Sequence, residues 1–425
     1  MIKIADAVHD AKRLEELRAL PLDRKIQISQ ARIIEWYKRW NGQVVVSFSG
    51  GKDSTVLLHL VRSIYPDVKA VFSNTGLEYP EIQKHVKSID NVDIVTPAMR
   101  FDEVISTYGY PLIGKEVAEA IHYARKIRSQ SDHVERERER ARERKRAEMR
   151  GSRPRSNGSK WWAAEKQAYP DKHIEKQENS SPRENVRGSR VGGRTGVDEP
   201  KSQFNKEKWL PMVYAPFMIS HYCCYKMKKS PMKQYQHRNK LYPILGTLAE
   251  ESRVRKQAWI RHGCNAFEGV NPTSQPLSFW TEQDILTYIV KYNLQIASVY
   301  GEIVSEKDGN EYPPIDMFGN IGCNLKCTGC PRTGCIFCGF GFHLEKGETR
   351  FQRLARTHPR QYEFSIGGGQ WVDNPHYDPA APEFDGEWKN WNPKKIWVPS
   401  KKGFGMGKVF DMANEIYGKD FYRYE

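Results

Sequence analysis

An open α/β fold, a parallel sheet with helices on both faces, is what this sequence predicts, and three observations carry the expectation. Short β-branched runs such as Val44-Val45-Val46 alternate with longer helical stretches, the pattern of strands joined by crossover helices. A glycine pair, Gly50-Gly51, stands where the first run gives way to a helical one. The 425 residues can bury a sizeable core although only 39% of them are hydrophobic.

The elements follow in order. After an N-terminal helix, Val44 to Phe48 reads as a buried strand ending in Ser49-Gly50-Gly51-Lys52-Asp53-Ser54-Thr55, and Val56 to Val61 continues as a buried helix. Val68 to Phe72 and Val92 to Thr96 read as further strands, and a helical stretch after Ile113-Gly114-Lys115-Glu116 runs to Lys126. From about Ile127 to Lys208 aliphatic residues almost vanish. That stretch cannot bury enough apolar surface to fold alone, although Val134 to Arg150 has opposite charges spaced for a solvated helix. Globular character returns at Trp209 to Tyr214. Tyr242 to Thr247 reads as the fourth strand, and Thr281 to Tyr292 as an amphipathic helix opened by a Thr-x-x-Asp cap. Beyond Gly367 the chain is rich in Gly, Pro, Asp and Trp and predicts no element until a helix near Lys408 to Tyr417.

Charge and hydropathy narrow the function classes. Mean hydropathy is −0.72, and no apolar run approaches the roughly 18 residues of a membrane helix, so a transmembrane protein is excluded. The opening MIKIADAVHDAKRLEEL has no apolar signal-peptide core, and a cytoplasmic protein with no membrane partner is expected. The formal charge of +15 points to polyanions. Residues 125–160 hold 14 basic and 6 acidic side chains, which makes them a candidate nucleic-acid contact; the alternating Glu and Arg suit a solvated linker equally.

The glycine pair carries the chemistry. A glycine turn at the exit of a parallel strand aims several N–H groups at one anion, and the dipole of the following helix adds to them. Ser47, Ser49, Gly50, Gly51, Lys52, Asp53, Ser54 and Thr55 are the expected phosphate contacts. The spacing is not that of a Walker A loop.

Ser49 to Thr55, SGGKDST, resembles the PP-loop of the ATP pyrophosphatase superfamily, and further segments narrow the resemblance to the phosphoadenosine phosphosulfate reductase family. Ser73 to Glu81 looks like its second motif, Gly246 to Arg253 like its nucleotide-contacting loop, and Pro276 to Trp280 with Asp284-Ile285 like the segment closing the site. Tyr222-Cys223-Cys224 and Thr333 to Cys338 look like the paired cysteines of its iron–sulfur branch. The likeness covers residues 40 to 125 and 210 to 365. It implies an adenine nucleotide alpha hydrolase-like fold, and an adenine nucleotide, ATP or an adenylyl sulfate, with or without Mg2+, held by the loop together with Asn74, Thr75, Gly76, Glu78, Gly246, Glu251 and Arg253. Arg253 ranks ahead of Arg255 and Lys256 as the phosphate cation; His59 and His262 read as packing or surface residues. On this reading residues 1–126 are the first part of a nucleotide-binding domain, 127–208 a basic insert, 209–300 its second part, 301–366 a cysteine-rich segment and 367–425 a C-terminal extension.

Five of the eight cysteines fall between Cys323 and Cys338, which suggests metal or redox chemistry in a chain without a secretory signal. Cys223, Cys224, Cys335 and Cys338 supply the four thiolates a [4Fe-4S] cluster needs, and the resemblance implies that set. Cys264, Cys323, Cys327 and Cys330 stand as alternative ligands, and Cys327-x2-Cys330-x4-Cys335-x2-Cys338 suits Zn2+ as the alternative metal. The sulfonucleotide reductases carry a nucleophilic cysteine in a C-terminal Glu-Cys-Gly motif, and no cysteine follows Cys338 here.

Two reactions stay open. One is reduction of adenylyl or phosphoadenylyl sulfate to sulfite, with a thiol from a donor protein or from one of the extra cysteines. The other is ATP-dependent sulfur transfer, for which a cysteine desulfurase would be a partner. A nucleic-acid-binding or regulatory module keeping the nucleotide fold is the alternative from another class. No catalytic residue is assigned.

Overall fold

The computed structural model describes residues 9–126, 206–269, 271–307, 309–313, 316, 321–379 and 392–425. It falls into two compact units, one formed by residues 1–100 and 224–336, the other by 101–223 and 337–425. Of the stretch 301–366, residues up to Ile336 fall in the first unit and those from Phe337 onward in the second. The physical reason is pairing, because Leu325–Cys327 finds its strand partner within the first unit and Gly339–Phe340 finds its own within the second. Of the expected insert, residues 127–205, including the solvated helix over Val134 to Arg150, lie outside the described residues.

The main sheet of the first unit is built from β1 (Val44–Ser47), β2 (Ala70–Ser73), β3 (Val92–Val95), β5 (Tyr242–Leu245), β6 (Asn265–Ala266) and β7 (Thr273–Ser274); β4 (Leu112–Ile113) belongs to the second unit. They form one sheet in the order β3-β2-β1-β5-β7-β6. All neighbours are parallel except β6, which runs antiparallel to β7 at one edge. Val44, Val45 and Val46 are all buried. Successive side chains of a strand point to opposite faces, so β1 must be covered on both, which is why it reads as a continuous apolar run rather than an alternating one.

Helices supply the cover. In α3 (Lys52–Arg62), Val56, Leu57, Leu58, Leu60 and Val61 are buried, and the helix packs on β1, on α2 (Leu22–Arg39) and on the helix Glu282–Lys291. The expected cap on that last helix is present. Thr281 Oγ accepts the Asp284 N–H at 3.2 Å, and Asp284 accepts the Thr281 N–H at 2.7 Å. Asp284 also receives the Lys25 ammonium of α2 at 2.6 Å, with Lys25 only 3% exposed. A capping residue thereby also fixes a helix–helix contact.

The second unit packs differently. Its parallel pair, β4 with β10 (Gly339–Phe340), is two residues long. The antiparallel pair β11 (Gln370–Asp373) with β12 (Lys395–Val398) lies in the stretch from which the sequence predicts nothing. The core is aromatic: Phe342, Phe351, Phe410 and Tyr422 are buried, with ring centroids 4.7–5.3 Å apart. Phe410 comes from the helix Met406–Tyr417, close to where the sequence places one. Arg125, in α6 (Lys115–Lys126), is buried and donates to the carbonyls of Met212, Val213, Ala215 and Phe217 at 2.5–3.1 Å. Burial pushes its pKa down to about 9. Arg125 is thus an internal fastener rather than a surface cation, and residues 127–160 of the expected nucleic-acid contact lie outside the described residues. Among the described residues no helix is long and apolar enough to cross a membrane.

Candidate nucleotide site

The loop Ser49–Thr55 leaves the carboxyl end of the central strand β1, where open α/β sheets receive ligands. Gly50 makes the turn possible. Its φ is +71°, and a Cβ there would lie 2.8 Å from methyls of both Ile82 and Val86, so no side chain fits either the backbone or the space. Gly51, by contrast, is extended (φ −79°, ψ 161°) and is the N-cap of α3. Of the two glycines, Gly50 is the one with positive φ. Gly246, leaving β5, sits so close to α3 that a Cβ would approach the Asp53 carbonyl to 3.1 Å.

The loop is knit together by hydroxyls. Ser54 Oγ accepts the Ser49 N–H at 3.2 Å, and Ser54 and Thr55 donate back to the Gly51 carbonyl at 2.9 and 3.1 Å. Ser49 Oγ accepts the Gly51 N–H, and Tyr300 Oη accepts the Lys52 N–H at 3.1 Å. Tyr300 in turn bonds Thr333 Oγ. The amides that an anion would use thus already meet neutral oxygen acceptors. Ser47, at the end of β1, carries a buried hydroxyl with no hydrogen-bond partner among the described residues.

Lys52 is 4% exposed; its ammonium lies 2.9 Å from Glu282 and donates to the Pro331 carbonyl at 3.0 Å. Burial pulls its pKa down, but the Asp53 and Glu282 carboxylates outweigh that and hold it above the ordinary value. Asp53 is pushed up by burial, against the pull of Lys52 and with help from Glu282. Arg332 and Arg255 act on the same carboxylate. Both also reach Glu251, Arg332 at 2.6 Å, whose other oxygen accepts the Leu248 N–H at 3.2 Å. Arg253, by contrast, is exposed at the first turn of the helix Arg253–His262. The guanidinium groups of Arg255 and Arg332 both act on the Asp53 carboxylate of the loop.

The second motif is a self-contained turn. Glu78 is buried and accepts the Thr75 N–H at 3.1 Å and the Thr75 hydroxyl at 2.7 Å, while Asn74 accepts the Gly76 N–H at 3.2 Å. Lys228, on a single π-helical turn Tyr225–Lys229, lies 3.7 Å from Glu78. Burial lowers the Lys228 pKa less than Cys335, Glu78 and Cys224 raise it. Cys224 and Cys335 thus act on one ammonium in the first unit, and Cys223 and Cys338 belong to the second. Among the described residues, which include all eight cysteines, no three His, Cys, Asp or Glu side chains group so as to hold a metal ion.

Sequence reasoning missed Tyr300, Thr333, Arg332, Glu282 and Lys228. Tyr300 lies 248 positions from Lys52, and no local pattern marks such a partner. Lys228 had a signal: it follows Cys224 at the i, i+4 spacing of facing helical side chains.

The phosphoadenosine phosphosulfate reductase domain matches residues 43–141 and 189–338, more than half of the chain. An adenosine 5'-phosphosulfate reductase of Bacillus cereus is 31% identical over 87 residues, 19% of this chain and 37% of that one. An uncharacterized protein of Methanocaldococcus jannaschii is 29% identical over 110 residues, 25% of this chain and 27% of that one. The chain thus spans well under half the length of these relatives. The crystal structure of a phosphoadenylyl-sulfate reductase from Candida auris aligns over 68% of this chain and 90% of that one, at 9% identity and a TM-score of 0.30. With a loop of the expected build at the end of its central strand and a domain match across both halves of the sheet, the chain belongs to the phosphoadenosine phosphosulfate reductase domain family.

Proposed function

We propose that this chain binds a sulfated adenine nucleotide, adenylyl or phosphoadenylyl sulfate, at Ser49–Thr55 and reduces it to sulfite. The observation that carries the reading is the loop itself. Backbone N–H groups at the start of an eleven-residue helix are met by the hydroxyls of Ser49 and Tyr300, oxygen acceptors that an anionic phosphosulfate would replace with charged ones. Charge balance supports it. Lys52, Arg255 and Arg332 share the carboxylates Asp53, Glu251 and Glu282, and an arriving anion would compete for cations that are already paired and so held in position.

Reduction takes two electrons, and a dithiol is the donor class that fits a cysteine-rich site. The test is direct: purified protein is incubated anaerobically with either sulfonucleotide and a dithiol, and sulfite is measured; ATP is tested in parallel for pyrophosphate. Sulfite from a sulfonucleotide supports the reading. Pyrophosphate from ATP without sulfite from either sulfonucleotide replaces it with ATP-dependent sulfur transfer.

A further inference from the structure

From Tyr225 to Leu241 the chain carries six basic residues, Lys226, Lys228, Lys229, Lys233, Arg238 and Lys240, and no Asp or Glu. The stretch folds as the π-helical turn Tyr225–Lys229 continued by the helix Ser230–Asn239, all within the first unit. Its inner side is apolar: Met227 and Pro231 are buried, and the helix lies against β2 and β3.

The cations divide by side. Lys228 meets the carboxylate of Glu78 at 3.7 Å. Lys229 and Lys233 are exposed four positions apart, one above the other on the outer face, and the exposed Lys240 follows two turns further along the same side. None of these three makes an ion pair among the described residues. Asp93 of β3, the carboxylate this helix does touch, accepts from the Tyr235 hydroxyl and pairs with Lys69 at 3.3 Å.

Stability does not account for the row. Like charges four apart on a helix repel. Lys240 is the C-cap at φ +53° and ψ +45°, a left-handed conformation that glycine adopts freely and a side chain does not. Three cations held in line against local preference call for an anion outside the fold.

The chemistry of the face narrows the anion. Among residues 226–241 no large hydrophobic side chain is exposed. A protein partner would need an apolar centre, in which Lys is depleted, and a membrane would need apolar side chains to insert. A row of ammonium groups suits a linear polyanion met through its phosphates. We infer that Lys229, Lys233 and Lys240 form a contact surface for nucleic acid, gripping the sugar–phosphate backbone without reading its bases. None of residues 125–160 is needed for it, and it holds whatever nucleotide the loop takes.

Each lysine that neutralises a phosphate releases a counterion, which sets the test. The whole chain is titrated over a range of salt concentrations with a labelled mixed-sequence oligonucleotide, single-stranded in one arm and duplex in the other, and with phosphatidylserine vesicles. Affinity for at least one oligonucleotide should fall steeply with salt. Lys229→Gln, Lys233→Gln and Lys240→Gly combined should flatten the slope of log K against log salt by about 2 on the single strand or about 2.7 on the duplex, and should melt no lower than the parent. Lys229→Gln and Lys233→Gln taken singly should each flatten it by about 0.7 to 0.9. The arm that flattens tells single strand from duplex. Arginine at all three positions keeps the charge and should keep the slope. A slope unchanged in both arms, or flattened equally by arginine, overturns the inference, as does a parent that binds neither oligonucleotide. Flattening on vesicles alone makes the face a membrane contact and overturns it as well.

Discussion

The two units of this chain bury their cores by different means, and the difference decides what can be read from sequence. The first covers a parallel sheet whose central strand is three consecutive valines, and its loop is held by hydrogen bonds within seven residues. The second has strands of two to four residues and packs rings against rings. Aromatic contacts have no period along the chain, whereas a buried strand and a glycine turn are local events. A unit organised by long-range ring packing leaves little for periodicity to find.

Arg125 gives the largest expected effect and the sharpest test of that contrast. Its guanidinium donates to four carbonyls of residues 212–217, and Arg125→Met removes those donors from a buried site. A loss of about 3–5 kcal/mol is expected, measured as a shift in the urea midpoint. An unchanged midpoint would mean that residues 212–217 do not depend on this side chain.

Much of the first unit was legible. The strand at Val44, the loop, the fourth strand and the Thr281 cap all follow from rules spanning fewer than ten residues. The loop's partners were not legible: Tyr300, Glu282 and Arg332 come from elements far along the chain and meet Lys52 or Asp53 only once the sheet has formed. Arg253 illustrates the limit. Local sequence ranks it as the phosphate cation, and does not show that helix phase turns Arg255 toward Glu251 and Asp53. In the second unit the helix at Met406–Tyr417 was legible from its apolar spacing, whereas β11 and β12 were hidden by the composition around them.

The glycine pair gives the next effect. Because Gly50 has positive φ and no room for a Cβ, Gly50→Ala should displace the loop and weaken sulfonucleotide binding by about a hundredfold, roughly the 1–3 kcal/mol of a strained backbone residue plus overpacking. Gly51→Ala keeps an allowed backbone and meets oxygens at 3.2–3.3 Å, so a smaller loss is expected. Lys52→Ala should fall between them, about tenfold to a hundredfold, the value of one charge-assisted contact. Calorimetric titration ranks the three. A Gly51 variant weaker than the Gly50 variant would show that the bound loop turns at a different residue.

The smallest effect concerns pH and the packing beneath the loop. Thr55 donates its hydroxyl proton to the Gly51 carbonyl, so at the 3.2 Å contact with His85 Nε2 it can only accept, and His85 must carry its proton on Nε2. His85 is buried, and burial lowers its pKa below the ordinary 6.5. The unfolded chain therefore binds this proton more readily than the folded one. The stability His85 contributes is fully present above about pH 6.5 and is lost as the pH falls from there toward the lower folded-state value. His9, His59 and His343 are also lowered by burial, so the parent protein should lose thermal stability on acidification from pH 7.5 to 5.5, and His85→Gln, which keeps an N–H donor without titrating, should lose less. Parallel melting curves at the two pH values measure the difference. Identical slopes for parent and variant would show that His85 is protonated as easily in the fold as outside it, and that the contact between α3 and the helix Pro80–Lys87 is wetter than the burial of His85 implies.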